Sequence, residues 1–261
     1  MLNKTIFKQT LKANFKLWAL FTVVTSIIFA VMIAVFKPTT IAGMTDMIKD
    51  TPLADMLKNT TVLGMLSSTF YSMHGVLLPV IFIIMTANSL IASQIDRGSM
   101  AYLLSTPTKR STVVRTQAFY LIISLVVMFI IATIVGLAAI QIFQGDIDVS
   151  ISDFLMLNLG LFLLLFATSG ISFFFSCLFN LSKNSLALGA GIPIAFFLFH
   201  LMAQVSDSLE GLKYLSLNTL FDTDAILSGD SVVLPFILLA VIGIVLYALG
   251  IRVFQRKDLP L

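Results

Sequence analysis

Long apolar runs without a charged side chain recur six times along this chain. Each run spans at least 20 residues, which is the length a helix needs to cross the roughly 30 Å hydrocarbon layer of a membrane with its backbone polar groups paired internally. We therefore predict an all-α membrane protein that forms one transmembrane domain over residues 1–261. The six predicted transmembrane helices cover residues 17–36, 71–92, 118–143, 154–179, 186–205 and 232–251.

The amino acid composition supports the same class of protein. Hydrophobic residues make up 58% of the chain and charged residues 11%, whereas an ordinary soluble domain contains roughly 25% charged residues. This balance excludes a water-soluble globule. The single cysteine, Cys177, excludes a disulfide scaffold or a thiolate metal cluster.

The charges outside the predicted spans separate by side of the membrane. Six crossings place both termini on one side, and that side carries 12 of the 16 Lys and Arg residues but just two acids, Asp96 and Asp258, for a net charge of +10. The opposite side carries four cations and 11 acids, for a net charge of −7. Because cytoplasmic loops are enriched in Lys and Arg, we predict that both termini are cytoplasmic.

The first predicted cytoplasmic loop, residues 93–117, contains a short amphipathic helix. Met100, Leu103 and Leu104 repeat at the i, i+3, i+4 spacing of one helix face, between a glycine and a proline that bound the segment. Such a helix could insert its apolar face into a groove on another protein. It could equally rest on lipid head groups as an interfacial hairpin, and the pattern alone leaves both interpretations open.

The amino-terminal segment also has an amphipathic pattern. Four lysines at four-residue spacing occupy roughly one third of a helical circumference, and apolar residues lie mostly opposite. We expect an interfacial helix along the inner membrane surface that leads into the first span. Its role is either electrostatic anchoring or docking of a partner. The lysines are Lys4, Lys8, Lys12 and Lys16.

The outer loop before the last span, residues 206–231, carries five acids but also many large apolar residues. It is too apolar to be a solvated tether. Short helices that dip partly into the outer leaflet and pack against protein would account for this composition. We therefore expect a partly re-entrant loop at this position.

The predicted spans contain no Asp, Glu, Lys or Arg, so we expect neither catalytic residues nor a metal site within the membrane. The two histidines, His74 and His200, do not belong to a metal-binding motif. The chain also has no GxxxxGK[ST] phosphate-binding loop, so any ATPase must be a separate polypeptide. The missing buried acids argue against ion-coupled secondary transport, although backbone carbonyls could still bind sodium.

Aromatic residues cluster in the fourth and fifth predicted spans. Consecutive side chains on a helix point in different directions, so at most one or two of each cluster can face a substrate path. An apolar interior without carboxylates favours a hydrophobic or amphipathic cargo over a small ion. The candidate residues of such a path are Phe173, Phe175, Phe196 and His200.

The layout of the whole chain and two of its segments resemble the membrane subunits of type-2 ATP-binding-cassette (ABC) exporters, which are six-span permeases served by separate ATPase chains. Residues 96–99 (DRGS) and 103–110 (LLSTPTKR) are similar to that family's acid-x-Gly-Thr and Leu-Leu-x-x-Pro-x-x-Arg pattern. Residues 215–222 (LSLNTLFD) are similar to its hydrophobic segment before the final span. Ser99 replaces the family's usual Thr, Asp96 its usual Glu, and Gln117 stands where Lys is common.

The resemblance implies that the cytoplasmic loop is a coupling helix that docks on an ATPase, and that ATP and Mg act in that partner and not in this chain. It implies a second permease copy, identical or related, because six helices are too few to enclose a pathway. The implied docking residues are Asp96, Arg97, Gly98, Met100, Leu103, Leu104, Pro107 and Arg110.

The expected function is therefore that of a non-enzymatic exporter subunit in the bilayer of a bacterial cell membrane, with no nucleic acid partner. Its cargo would be a peptide, toxin, drug or lipid that leaves the cytoplasm. The alternatives outside this family are a secondary transporter and a membrane protein that senses a peptide or gives immunity to it.

Overall fold

The structure is a computed structural model that describes residues 2–37, 39–43, 61–105, 108–145, 149–205 and 207–258. Within these ranges every regular element is a helix. Six helical segments are long and apolar enough to cross a membrane, which confirms the predicted fold class. They are Lys4–Val35, Val62–Asp96, Arg110–Phe143, Ile151–Leu178, Ser182–Ala203 and Val233–Arg256.

The helices have the following bounds. Span one is α1, Lys4–Val35. Span two consists of α2 (Val62–Leu66), a π-helical segment (Ser67–His74) and α3 (Gly75–Leu90). It continues into α4 (Ala92–Asp96). The next helices are α5 (Ser99–Leu104), α6 (Arg110–Phe143), α7 (Ile151–Leu178) and α8 (Ser182–Val205). Two 3₁₀ segments follow (Asp207–Leu215 and Leu217–Leu220). The last helices are α9 (Thr223–Ser228) and α10 (Val233–Arg256).

The amphipathic amino-terminal segment and the first span form one continuous helix. With 32 residues, α1 is about 48 Å long and exceeds the hydrocarbon layer by about 18 Å. The Asn3 side chain caps it by accepting hydrogen bonds from the N–H groups of Thr5 and Ile6. The four lysines are exposed along its first turns. That these turns lie on the membrane surface remains a prediction.

Span two begins at Val62, nine residues before the predicted start at residue 71. Hydroxyl side chains interrupt the apolar run here, so hydropathy alone places the start too late. In the structure Ser68 and Thr69 both donate hydrogen bonds to the Met65 carbonyl, and this bonding satisfies polar groups within the helix. As a result His74 lies twelve residues inside this helical span rather than at its end.

Helices α1 and α6 lie side by side and run in the same direction. Hydrogen bonds fasten them along their length, and residue numbers rise together on both helices. The bonds join Asn3 to Thr116, Thr10 to Gln117, Trp18 to Ser124 and Ile33 to Gln144. Because the first bond lies near the amino terminus and the last near the far end, the two helices are held together over the full width of the bundle.

Buried apolar side chains form two clusters, one near each end of the bundle. The cluster at the end opposite the termini, which we call the outer cluster, contains Phe29. The Phe29 ring stacks on that of Phe70 at 4.1 Å and on that of Phe154 at 5.7 Å. The inner cluster includes Ile6 and Phe254. One end of the bundle contains both termini, α4, α5 and the 12 cations counted above, and we call it the basic end. We call the opposite end the acidic end.

The helices differ in how far the bundle buries them. In the most apolar 18-residue window of α7, 67% of the residues are buried, whereas in that of α8 the share is 17%. Helix α7 is therefore central and α8 peripheral. They approach closely where the Ser172 hydroxyl donates to the Gly189 carbonyl at 2.7 Å.

The loop before the last span folds back onto the acidic end. Phe221 and Ile226 are buried in the outer cluster, and the Phe221 ring lies 6.3 Å from that of Tyr71. The Asp222 carboxylate caps α9 by accepting hydrogen bonds from the N–H groups of Asp224 and Ala225. The apolar residues of this loop thus pack against protein, and how deeply the loop enters the outer leaflet remains a prediction.

Candidate functional site

A helical hairpin at the basic end carries six of the eight predicted docking residues, all except Pro107 and Arg110. It consists of α4, a tight turn at Gly98, and α5. Gly98 has a φ of +72°, in the left-handed region that glycine adopts without steric cost. The Ser99 hydroxyl donates a hydrogen bond to the Gln94 carbonyl at 3.1 Å, which links α5 back to α4 across the turn. We call α4, the turn and α5 the hairpin.

The apolar face of α5 points into the bundle. Met100 is 0% exposed and packs in the inner cluster with Ile6 of α1 and Val113 of α6. Leu103 packs against the same cluster and is partly buried. The side chain of Leu104 and the whole of Pro107 lie outside the described residues. Met100 therefore holds the hairpin on the bundle, and its side chain is not on the surface that a partner would meet.

The opposite face of α5 presents an aromatic residue that the sequence analysis missed. Tyr102 is 82% exposed, and Arg97 at the turn is exposed as well. Tyrosine and arginine are the residue types that carry much of the binding energy in protein interfaces. The signal was present in the sequence, since a residue two positions after Met100 lies about 200° around the helix axis, on the other face.

The side chains of Asp96 and Arg110, two of the predicted docking residues, form hydrogen bonds within the chain. The Asp96 carboxylate accepts a hydrogen bond from the Ser182 N–H at 3.2 Å, where α8 begins. The Arg110 guanidinium donates to the Lys257 carbonyl at 3.1 Å, just after α10 ends. Asp96 of the hairpin and Arg110 after it are thus connected to the basic ends of spans five and six.

Lys257 is a second point of contact at the basic end. Its ammonium donates a hydrogen bond to the Cys177 carbonyl at 3.1 Å, near the end of α7. Burial lowers the pKa of Lys257 to about 8, because removing the ammonium from water disfavours its charged form. Together with Arg110, this residue connects the ends of spans four and six to the start of span three.

The joint between span two and the hairpin is a break in the helix at Ile91, whose φ and ψ are −130° and −69°. The Ser176 hydroxyl of α7 donates to the Ala87 carbonyl at 2.7 Å and lies 3.1 Å from the Ala92 nitrogen, whose N–H it accepts. One side chain thus binds a backbone group on each side of the break. This joint is therefore fastened to span four.

The predicted residues of a substrate path have different surroundings. Phe173 is 0% exposed, and its ring packs 5.1 Å from Tyr247 in the inner cluster. It is a core residue of the single chain, and its place on a substrate path remains a prediction. Phe175 is half-buried with its ring 6.2 Å from Phe179, and Phe196 and His200 are half-buried on α8.

The described part of the chain has apolar grooves that open on the outside of the bundle. One, of about 320 Å³, lies between α1 and α6 beside Trp18 and Thr22. Another, of about 350 Å³, lies between α6 and α7 and is lined by Phe129, Asn158 and Phe162 among others. None of the four predicted path residues lines either groove. In the described part of the chain, no three His, Cys, Asp or Glu side chains come together as metal ligands.

Comparison with known proteins adds an independent finding. A family model described as "ABC-2 family transporter protein" matches residues 7–259. The match includes all six spans, the hairpin and the loop before the last span. A search among curated proteins gave no significant match.

Proposed function

This chain belongs to the ABC-2 transporter family as a multi-pass membrane subunit of an ABC transporter, and we propose that its transporter exports a hydrophobic or amphipathic substrate from the cytoplasm. Such a substrate would be a peptide, toxin, drug or lipid. The energy comes from ATP, hydrolysed with Mg in a separate ATPase subunit. Two permease copies, identical or related, enclose the pathway between them.

The observation that carries this proposal is the presentation of Tyr102 and Arg97 on the outer face of the hairpin. The Tyr102 side chain is 82% exposed, and the fully buried Met100 on the opposite face of the same helix fixes that helix on the bundle. Tyr102 is therefore a preorganised contact for a protein partner. Met100 and Leu103 support the hairpin, while the residues between them face the ATPase.

The same geometry suggests how ATP binding reaches the spans. ATP draws two ATPase subunits together, and each carries a hairpin with it. Met100 is buried in the inner cluster, to which α1 contributes Ile6 and α6 contributes Val113, and close-packed side chains transmit displacement rather than absorb it. The ATPases then favour one arrangement of the permease pair if they bind that arrangement more tightly.

The direction and the cargo rest on charge and composition. The basic end is cytoplasmic in this proposal because cytoplasmic loops carry the excess of Lys and Arg, so the ATPases act from that side. The two outward grooves are lined almost entirely by apolar side chains, which suits a substrate with substantial apolar surface. The amino-terminal lysines anchor α1 to acidic head groups.

Co-purification of the ATPase tests the proposal. The wild-type chain, extracted in mild detergent, should carry an ATPase subunit. Tyr102→Ala and Arg97→Glu should each lower the bound ATPase at least tenfold, the loss expected when a central interface residue is removed. Tyr214→Ala is the matched control, because Tyr214 is 76% exposed at the acidic end and should have no effect.

The outcomes separate the proposal from its alternatives. A wild-type extract without an ATPase, or equal ATPase in the Tyr102→Ala and wild-type extracts, contradicts the proposed docking face. Transport that continues after ATP depletion but stops when the ion gradient is collapsed would instead identify a secondary transporter.

A further inference from the structure

The first turn of α8 receives its cap from span two. Leu181 precedes the helix, and its apolar side chain cannot accept hydrogen bonds from the free N–H groups of a helix start. The Asp96 carboxylate accepts the Ser182 N–H at 3.2 Å instead. The Asn88 amide donates to the Ser182 hydroxyl at 2.7 Å. Ser182 is thus held at two points, by Asn88 of α3 and by Asp96 of the hairpin.

The electrostatics also favour this assignment of Asp96. A carboxylate is stabilising at a helix amino terminus and unfavourable at a carboxyl terminus. Asp96 is the last residue of α4, where it gains nothing from the helix dipole, but it faces the amino terminus of α8. Its placement is therefore explained by span five and not by the short helix in which it lies.

Span five is the element that such a contact could move. It is the least buried of the six candidate spans among the described residues, so more of its residues lie at the periphery of the bundle than do those of the other spans. The joint at Ile91, in contrast, is fastened to α7 through Ser176. A displacement of the hairpin would turn about this held joint and act on α8 through Asp96.

We propose that Asp96 is a positioning residue that fastens the hairpin to the start of span five, so that movement of the hairpin moves that span. The inference rests on the proposed function, because the movement comes from the ATPase partner. It assigns Asp96 a contact within the permease instead of a contact with the ATPase. The contact itself needs only a hydrogen-bond acceptor. Asparagine at position 96 therefore preserves the hydrogen bond to the Ser182 N–H, and alanine removes it.

Hydrogen exchange of the full-length chain tests the contact without any partner. In Asp96→Ala, the amides of residues 182–185 should exchange about fivefold faster, the effect of losing a typical helix cap. In Asp96→Asn, the same amides should exchange at the wild-type rate. Asp258→Ala, which removes an exposed carboxylate at the same end, is the control and should leave these amides unchanged. Unchanged exchange in Asp96→Ala would overturn the inference.

The assembled complex tests the consequence for coupling. Lys183 is exposed next to Ser182, and Lys183→Cys provides a site for an environment-sensitive fluorophore, since Cys177 is buried. Addition of ATP and vanadate should change the fluorescence in the wild-type and Asp96→Asn complexes. In Asp96→Ala the change should fall at least twofold, while the amount of bound ATPase stays the same.

The results distinguish a contact within the permease from a docking charge. If Asp96→Asn and Asp96→Ala both lose the ATPase, Asp96 binds the partner through its charge and the inference is wrong. If Asp96→Ala keeps the full fluorescence change, the contact does not transmit movement and the inference is also wrong. If no ATPase co-purifies with the wild type, the proposed function fails, and hydrogen exchange still decides whether Asp96 caps α8.

Discussion

Gly160 in α7 shows how a single residue decides where a distant segment packs. A Cβ atom at this position would lie 2.7 Å from the Phe221 ring and 2.8 Å from the Phe236 ring, well inside van der Waals contact. Both rings are buried in the outer cluster. The missing side chain therefore makes room for the loop before the last span to close over the acidic end.

Gly160→Ala should destabilise the protein by about 1–3 kcal/mol, the usual range for overpacking a core. Thermal unfolding in detergent measures the effect. Gly191→Ala is the control, because a Cβ there meets nothing within 4 Å and the residue lies within a helix. That variant should be neutral or more stable by up to about 1 kcal/mol. Equal unfolding temperatures for both variants would contradict this account of Gly160.

Gly98 differs from Gly160 because its constraint comes from the backbone. A Cβ at Gly98 would meet nothing within 4 Å, but the residue has a φ of +72°. The sequence indicated a break here, because this glycine bounds the short amphipathic segment. It contained no comparable signal for Gly160, whose neighbours come from residues 221 and 236.

Helices α1 and α6 are joined at the acidic end by Gln144. Its side-chain amide donates to the carbonyls of Ile33 and Phe36 at 2.6 and 3.1 Å, and the residue is buried. These carbonyls belong to the last turn of α1, where a helix has no internal donors left for them. Gln144, at the end of α6, thus caps the last turn of α1.

Gln144→Leu should lower the stability by about 1–3 kcal/mol, because it leaves buried carbonyls without a donor. Gln141→Leu provides the control, since Gln141 lies one turn earlier on the exposed side of the same helix. Thermal unfolding of the two variants in the same detergent makes the comparison. A loss of similar size in Gln141→Leu would mean that added apolar surface, and not the hydrogen bonds, is responsible.

The element α5 was predicted correctly as a short amphipathic helix, but its orientation was not. Its apolar positions indicate which residues share a face, and they carry no information on what covers that face. In the structure Met100 is buried in the inner cluster, which also contains Ile6 and Val113, and these residues come from other segments of the chain. Tyr102 becomes the exposed residue of the hairpin as a consequence.

At the scale of the whole molecule, the separation of charge predicts the orientation in the membrane. Among the described residues, Lys12 is exposed at the basic end and Asp230 at the acidic end. Reversing this orientation would place the larger group of cations on the outer side, against the bias of cytoplasmic loops.

Labelling of intact cells with a membrane-impermeant maleimide tests the orientation. Asp230→Cys should react in intact cells, whereas Lys12→Cys should react only after permeabilisation. The wild-type chain is the control, because its one cysteine is buried and should not react. The reverse pattern would place the termini outside and contradict the proposed direction of transport.

The sequence by itself determined the helical class, the approximate position of each span and the separation of charge between the two ends. These properties follow from the local run of apolar residues and from which loops carry charge, so neighbours distant in the chain do not alter them. The same reasoning placed the start of span two too late, because serine and threonine hydroxyls can be satisfied within a helix.

Only the tertiary structure decided which side chains are available at the basic end. It buried Met100, exposed Tyr102 and directed Asp96 to the start of α8. It also placed Phe173 in the core beside Tyr247. The physical reason is the same in each case: burial and hydrogen bonding depend on atoms that the fold brings from distant positions, and the spacing of residues along one segment does not specify those neighbours.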